Sequence, residues 1–118
     1  MQFKQLDVWK RSSRLSVKVY RYSPQIKDFG FRDQLTRSIL SVASNIAEGE
    51  DRDSIKDSIR YLNMAKGSSA EAITQIFIGI EANFIDRNVG FDWLGELEQI
   101  NKMIAGLIKF KKLSLQQR

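Results

Sequence analysis

The chemistry open to this chain is that of carboxylates, amines, guanidinium groups and hydroxyls, because its 118 residues include no cysteine and no histidine. That absence excludes thiol nucleophiles, histidine-based triads, disulfide frameworks and zinc sites built from those two residue types. Carboxylate pairs can still act as acid and base, but no Gly-rich phosphate loop accompanies them. We therefore predict a protein that is not an enzyme, has no catalytic residue and uses no cofactor.

The densest group of carboxylates lies in one predicted loop, which contains Glu48, Glu50, Asp51 and Asp53. A calcium loop needs a further oxygen ligand where Ile55 stands, and a glycine after it, so the spacing does not fit. Capping of the following helix and complementing its dipole explain the loop more simply. The sequence thus predicts no metal site.

Lysine and arginine are unevenly distributed along a chain whose formal net charge is +5. Residues 1–27 contain seven of the 19 basic residues and a single acidic one, which gives that segment +6, and residues 86–118 carry +2. A basic first helix beside a basic C-terminal tail is typical of a protein that binds a phosphate backbone. The predicted nucleic-acid-binding residues are Lys10, Arg11, Arg14, Lys18, Arg21, Lys109, Lys111 and Lys112.

A charged stripe of this kind is also common as a plain solvated face, and the sequence leaves both interpretations open. It has neither the base-stacking aromatic residues on a sheet that mark an RNA-recognition motif nor a helix-turn-helix signature. Binding of RNA or DNA would therefore depend on contacts to the backbone. Such binding is strongly salt dependent and largely indifferent to base sequence.

Four segments have the apolar spacing of amphipathic helices. In the second, Leu35, Ile39, Val42 and Ile46 step by 4, 3 and 4 residues, and the third and fourth segments repeat this pattern. Proline and glycine mark the breaks between segments. The predicted helices are 6–22, 31–48, 54–85 and 92–112, in one domain that spans residues 1–118. A mean spacing of ~3.5 residues with short connections favours an all-α, antiparallel, up-down-up-down four-helix bundle.

Membrane and export signals are absent from the sequence pattern. No window approaches the ~20 apolar residues that a membrane span needs. Residues 1–22 alternate charged and apolar side chains and lack the apolar core of a signal peptide. We expect no membrane association and a cytoplasmic location.

The first helix carries more apolar surface than one buried face requires. An advance of ~100° per residue places Leu15 and Val19 on one side of the helix and Trp9 and Tyr20 on another. A surface helix in a monomeric bundle needs a single apolar stripe. The surplus predicts that Trp9 and Tyr20 lie in a contact with another copy of the chain, with capping of the bundle end as the alternative.

A polar stripe follows the apolar one along the second helix. It comprises Gln34, Ser38, Ser41, Asn45 and Glu48. The stripe is either a solvated face or a polar contact between helices or subunits. In the second case Asn45 and Glu48 would be buried and hydrogen bonded.

The middle of the third helix has two unusual features. Gly67 and the small residues after it are expected to allow close helix approach, which would offset the ~1 kcal/mol that glycine costs relative to alanine. Lys66 falls on the predicted core stripe. There its stem would have to snorkel outward, or its charge would have to pair with a carboxylate such as Glu48.

Several blocks of this sequence resemble one bacterial family. They are Asn45-Ile46-Ala47-Glu48-Gly49 and Ala65-Lys66-Gly67-Ser68, together with Gln34 and Glu71. These blocks resemble the four-helix-bundle proteins encoded by intervening sequences in large-subunit ribosomal RNA genes, a family also labelled S23 ribosomal protein. That family is similar in fold to the accessory variability determinant of diversity-generating retroelements. The resemblance spans nearly the whole chain.

The resemblance implies a four-helix protomer, a ring-shaped homopentamer and a basic surface. Relatives in retroelements bind nucleic acid and a reverse transcriptase, so the implied partners are further copies of the chain, RNA or DNA, and a reverse transcriptase. In this setting Asn45, Glu48 and Glu71 fit a network between helices or subunits better than a catalytic one. The expected oligomer-interface residues are Trp9, Tyr20, Asn45, Glu48 and Glu71.

Three functions follow from these observations. The first is a non-enzymatic, oligomeric nucleic-acid-binding protein, directed at the backbone and most simply at RNA. The second is a protein-interaction scaffold, for example an accessory subunit of a reverse transcriptase. The third is a self-assembling bundle without a ligand.

Overall fold

The computed structural model describes residues 2–117, except for the side chains of Gln2 and Lys4. The described residues form four α-helices: α1 (Asp7–Tyr22), α2 (Phe29–Glu50), α3 (Ile55–Glu81) and α4 (Arg87–Gln116). Short 3-10 turns at Gln2–Gln5 and Ser23–Gln25 flank α1, and residues 2–117 contain no strand. The fold is therefore all-α with four helices, as the periodicity predicts.

Capping side chains set the starts of α2 and α3. The Asp28 carboxylate accepts a hydrogen bond from the Phe31 amide at 2.9 Å, and the Ser54 hydroxyl accepts one from the Asp57 amide at 3.3 Å. Each oxygen satisfies an amide that has no partner in the first turn of its helix. α2 is slightly longer at both ends than the predicted 31–48, and α3 begins one position after the predicted 54.

The connection between α3 and α4 differs from the prediction. α3 ends at Glu81 rather than at residue 85, and Asn83 turns the chain with a φ of 62°, a conformation that asparagine tolerates. Asp86 caps α4 with a carboxylate that accepts hydrogen bonds from the amides of Asn88 and Val89, whereas the predicted start at residue 92 would have made Asp92 the cap. α4 therefore begins at Arg87 instead of residue 92 and, at 30 residues, is longer than α3.

One hydrophobic core receives side chains from all four helices. The residues whose spacing identified the second helix are each at most 1% exposed. They pack with apolar residues of the other three helices, including Leu15, Val19, Leu62, Ile76, Trp93, Leu97, Ile100 and Ile104. Burial of this shared face is the main force that holds the helices together.

The buried stripe of α3 lies one residue away from its predicted position at the centre of the helix. Ala65 is fully buried and Lys66 is exposed, so the prediction of Lys66 in the core was wrong. Burying alanine instead avoids desolvating a charge. The role predicted for Gly67 was also wrong, since a Cβ there would meet nothing within 4 Å. Close approach occurs instead at Gly49, where a Cβ would lie 3.1 Å from the Ser58 carbonyl oxygen.

The molecule measures 51 × 22 × 21 Å. α4 is about 45 Å long and α1 about 24 Å, at a rise of ~1.5 Å per residue. Leu6 and Val8 at the start of α1 lie beside Met103 and Leu107 of α4. The last turns of α4 therefore continue past the start of α1. No helix among residues 2–117 has the length and apolar character to cross a membrane.

Candidate nucleic-acid interface

Four of the predicted binding residues form a basic stripe on α1. We call Lys10, Arg14, Lys18 and Arg21 the α1 stripe. Lys10 is half-buried and the other three are exposed. Spacings of three and four residues keep these cations on one side of the helix. The α1 stripe is therefore a surface feature of the folded chain, as the helical projection indicates.

Arg11 leaves this surface and binds a carboxylate of α4. Its guanidinium donates two hydrogen bonds to Glu96, Nε to Oε2 at 3.0 Å and Nη2 to Oε1 at 2.5 Å. This bidentate hydrogen bonding is the main cause that raises the pKa of Arg11 and lowers the pKa of Glu96. Arg11 was predicted to contact nucleic acid, but the structure places it in a link between helices.

The α1 stripe also has acidic neighbours. Lys18 lines a shallow groove of about 380 Å³ together with Asp92 and Glu96 of α4. Its positive charge contributes to lowering the pKa of the Glu96 carboxyl group. The attraction that the stripe exerts on a polyanion is reduced accordingly on the side facing α4.

A second basic surface lies between α3 and α4, and we call it the lysine groove. Lys66 of α3 and Lys109 and Lys112 of α4 line a groove of about 400 Å³. The remaining lining residues are neutral: Asn63, Ala105, Ile108, Leu113 and Gln116. All three lysines are exposed, and none has an acidic partner within residues 2–117.

Lys111, the third cation predicted near the C-terminus, has a different role. Its Nζ lies 3.1 Å from Oε1 of Glu50, and the two side chains are only 19% and 14% exposed. This ion pair joins the end of α4 to the end of α2. Lys111 therefore points away from the lysine groove.

Lys66 is the one member of the lysine groove that the sequence reasoning did not include. A strict alternation of three and four residues places it in the core, but a straight helix drifts away from that repeat. The neighbouring Ala65 was the better candidate for the core, because burying an alanine desolvates no charge. With Ala65 assigned to the core, Lys66 falls on the solvent side of the helix.

Two serines in the polar stripe of α2 form contacts with α3 of the same chain. Ser38 donates to Oε1 of Glu71 at 3.0 Å, and Ser68 donates to Oγ of Ser41 at 3.0 Å. Asn45 donates to the carbonyl and hydroxyl oxygens of Ser41. Ser38 and Ser41 thus form a polar contact between helices, whereas Asn45 is half-buried and its hydrogen bonds stay within α2.

Glu48 does not join this polar contact. It is exposed and forms an ion pair with Arg52 one turn later. The expectation that Glu48 is buried was wrong, and neither Glu71 nor Lys66 is its partner. Among residues 2–117, no group of acidic side chains is arranged to hold a metal ion.

The aromatic residues predicted at an oligomer interface differ in exposure. Trp9 is half-buried against the core and meets Phe3 edge-on at a centroid distance of 5.3 Å. Tyr20 is 54% exposed and the nearby Val17 is 48% exposed. The apolar surplus of α1 in the isolated chain thus resides mainly in Tyr20 and Val17.

Comparison with known proteins identifies the family. A profile of the 23S rRNA-intervening sequence protein family matches residues 4–106. The chain belongs to that family. A solved structure, described as a protein of unknown function from the S23 ribosomal protein family of Bacteroides thetaiotaomicron VPI-5482, is 26% identical and has a TM-score of 0.83. The similarity covers 86% of this chain and 98% of that one. No curated protein matches.

The blocks that resemble the 23S rRNA-intervening sequence proteins lie where α2 meets α3. Gly49 permits the close approach to Ser58, and Ser68 bonds to Ser41 across the helices. Gln34 lines a polar groove with Ser38 and Glu71 in the same region. In this family member the blocks therefore hold two helices in register.

Proposed function

We propose that this 23S rRNA-intervening sequence protein binds nucleic acid through its phosphate backbone and catalyses no reaction. The observation that carries the proposal is the lysine groove, in which three exposed cations converge and no carboxylate lines the walls. Such a concentration of one charge attracts polyanions over long range. The family description refers to 23S rRNA and supports RNA as the polymer. We propose the cytoplasm as its site of action, because ribosomal RNA is assembled into ribosomes there.

We further propose an antiparallel up-down-up-down arrangement of the four helices. Three contacts between α2 and α3 support it: Ser38 with Glu71, Ser41 with Ser68, and Gly49 with Ser58. Residue numbers rise along α2 as they fall along α3. Short connections between consecutive helices favour the same arrangement.

A ring-shaped homo-oligomer, with five copies as the resemblance implies, completes the proposal. The exposed Tyr20 and Val17 support a contact between copies, because large apolar side chains adjacent on one helix favour burial. A ring repeats the basic surfaces on every copy, so weak contacts add by multivalency. A light-scattering mass equal to that of one 13.6 kDa chain would contradict this part of the proposal.

The binding proposal is tested with labelled single-stranded RNA and fluorescence anisotropy. We expect the affinity to fall steadily as salt rises, with a log–log slope of about −0.7 for each phosphate neutralised. A scrambled RNA of the same length should bind equally well, because backbone contacts carry no sequence information. Absence of binding at low salt, or binding that salt does not weaken, would contradict the proposal. No feature of residues 2–117 favours the accessory-subunit alternative over it.

A further inference from the structure

The two basic surfaces of this protein differ in how far they are neutralised by the chain itself. On α1, Arg11 is bound to Glu96, and Lys18 lines a groove with Asp92 and the same glutamate. The other three cations of the α1 stripe have no ion-pair partner within residues 2–117. In the lysine groove, no acidic residue lines the walls. A cation that already has a carboxylate neighbour gains less from a phosphate than a cation that has none. The lysine groove differs from the α1 stripe in that its cations lie on two helices and that no carboxylate lines it.

The geometry of the lysine groove suits a strand that lies along it. Lys109 and Lys112 are three residues apart on α4, which separates them by about 4.5 Å along the helix axis and keeps them on the same side. Lys66 stands on the opposite wall, on α3. Cations on both walls contact a backbone from two sides. Ala105, which also lines the groove, has a short side chain.

The uncharged lining also fits this ligand. The amides of Asn63 and Gln116 are hydrogen-bond donors, and Ile108 and Leu113 offer apolar contact. A volume of about 400 Å³ is at the lower end of small-ligand pockets, so it holds a short stretch of one strand rather than the face of a duplex. Gly67, next to Lys66, leaves open space on its helix surface.

Lys111 fixes the wall that carries two of these lysines. Its ion pair with Glu50 joins the last turns of α4 to α2, and both side chains are largely removed from solvent. That contact keeps α4 in place beyond the start of α1. At this end of α4, Lys111 therefore holds the wall in place, whereas Lys109 and Lys112 face the groove.

We propose that the phosphate backbone of a single-stranded nucleic acid binds in the lysine groove, through Lys66, Lys109 and Lys112, and that the α1 stripe, an open helix face with carboxylates along one side, contributes less. This inference rests on the proposed function, because it assigns the site of that binding. It adds Lys66 to the binding residues and removes Arg11 and Lys111 from them.

The test compares two triple variants that each remove three positive charges. The groove variant is Lys66→Gln, Lys109→Gln and Lys112→Gln, and the matched stripe variant is Lys10→Gln, Arg14→Gln and Lys18→Gln. The probe is a labelled single-stranded RNA of about 12 nucleotides, titrated at several salt concentrations. Thermal melting establishes that both variants fold like the parent.

We expect the groove variant to lose about two units of log–log salt slope and at least about tenfold in affinity at low salt, since three contacts contribute about 0.7 each. The stripe variant should lose less than about half of either quantity. An unchanged groove variant, a stripe variant weakened as much as the groove variant, or tighter binding of a duplex of the same length would overturn the inference while the proposed function stands. A parent that binds no RNA would overturn both.

Discussion

The two ends of this molecule are built in different ways. At the closed end, which we define as the end where α1 meets the start of α4, the rings of Tyr22 and Trp93 pack perpendicular to each other with centroids 5.3 Å apart. The Tyr22 hydroxyl also accepts a hydrogen bond from the Asp86 amide at 2.9 Å. At the lysine end, the last turns of α4 continue past α1. There Phe110 is 66% exposed and Leu113 is 49% exposed.

The contrast shows that α4 is packed closely at its start and is more exposed over its last turns. At the closed end, glycines of α3 and α4 permit close contacts. A Cβ at Gly90 would lie 2.5 Å from two carbon atoms of Ile80, and one at Gly79 would lie 2.6 Å from Ile85. Over its last turns α4 exposes Lys109 and Lys112. The lysine groove lies beside these turns, between α3 and α4.

The largest expected effect comes from truncating one aromatic residue at each end of α4. Trp93 is 3% exposed, so Trp93→Ala should lower the free energy of unfolding by about 3–5 kcal/mol through lost burial and a cavity. Phe110→Ala should change it by less than about 0.5 kcal/mol, because the ring is already in solvent. Chemical denaturation monitored by circular dichroism measures both. Similar losses for the two variants would mean that the lysine end is packed as tightly as the closed end.

A smaller effect is expected from adding one methyl group at each end. Gly90→Ala forces Ile80 out of its place, which costs about 1–3 kcal/mol and exceeds the gain of ~1 kcal/mol in helix propensity. Gly106→Ala meets nothing within 4 Å and should stabilise the protein by up to about 1 kcal/mol. Midpoints of thermal unfolding should therefore move in opposite directions. A shift in the same direction would refute the steric difference between the two positions.

The smallest effect concerns the Arg11–Glu96 pair, which joins α1 to α4 between the two ends. Because the folded pKa of Glu96 lies below its unfolded value, the pair stabilises the protein above the unfolded pKa. That contribution is lost as the pH falls through the folded pKa. Both side chains are about one-third exposed, so solvent screening limits it to about 1 kcal/mol or less.

Unfolding of Glu96→Gln across the acidic range measures this contribution. The variant should be less stable than the parent at neutral pH, and the difference should disappear in acid. Glu98→Gln on the same helix is the matched control. Because Glu98 is exposed, this variant should show the same dependence of unfolding free energy on pH as the parent. A constant difference at every pH would show that the charge of Glu96 is not the source of its effect.

Local patterns predicted the α2 core and the number of helices correctly. The four apolar residues of α2 are all buried because an i, i+3, i+4 spacing can place them on one face only. The start of α4 was missed because both Asp86 and Asp92 are good caps, and only the chain turn at Asn83 selects the first. Local chemistry alone does not decide between two equivalent signals.

The basic residues show the same limit at the candidate site. Lys109 and Lys112 were predicted from charge, and they do line a groove. The alternation of three and four residues placed Lys66 in the core, whereas tertiary packing chose Ala65. The ion pairs of Arg11 and Lys111 could not be predicted, because their carboxylate partners are 85 and 61 positions away in sequence.

The sequence by itself determined that this chain is helical, that it contains no cysteine and no histidine, and that its ends are basic. These properties follow from residue type and short-range spacing, which act within one or two helical turns. Only the tertiary structure decided which cations are neutralised and which face a groove. That outcome depends on helix register, helix length and carboxylates on other helices, and these are fixed together when the shared core is buried.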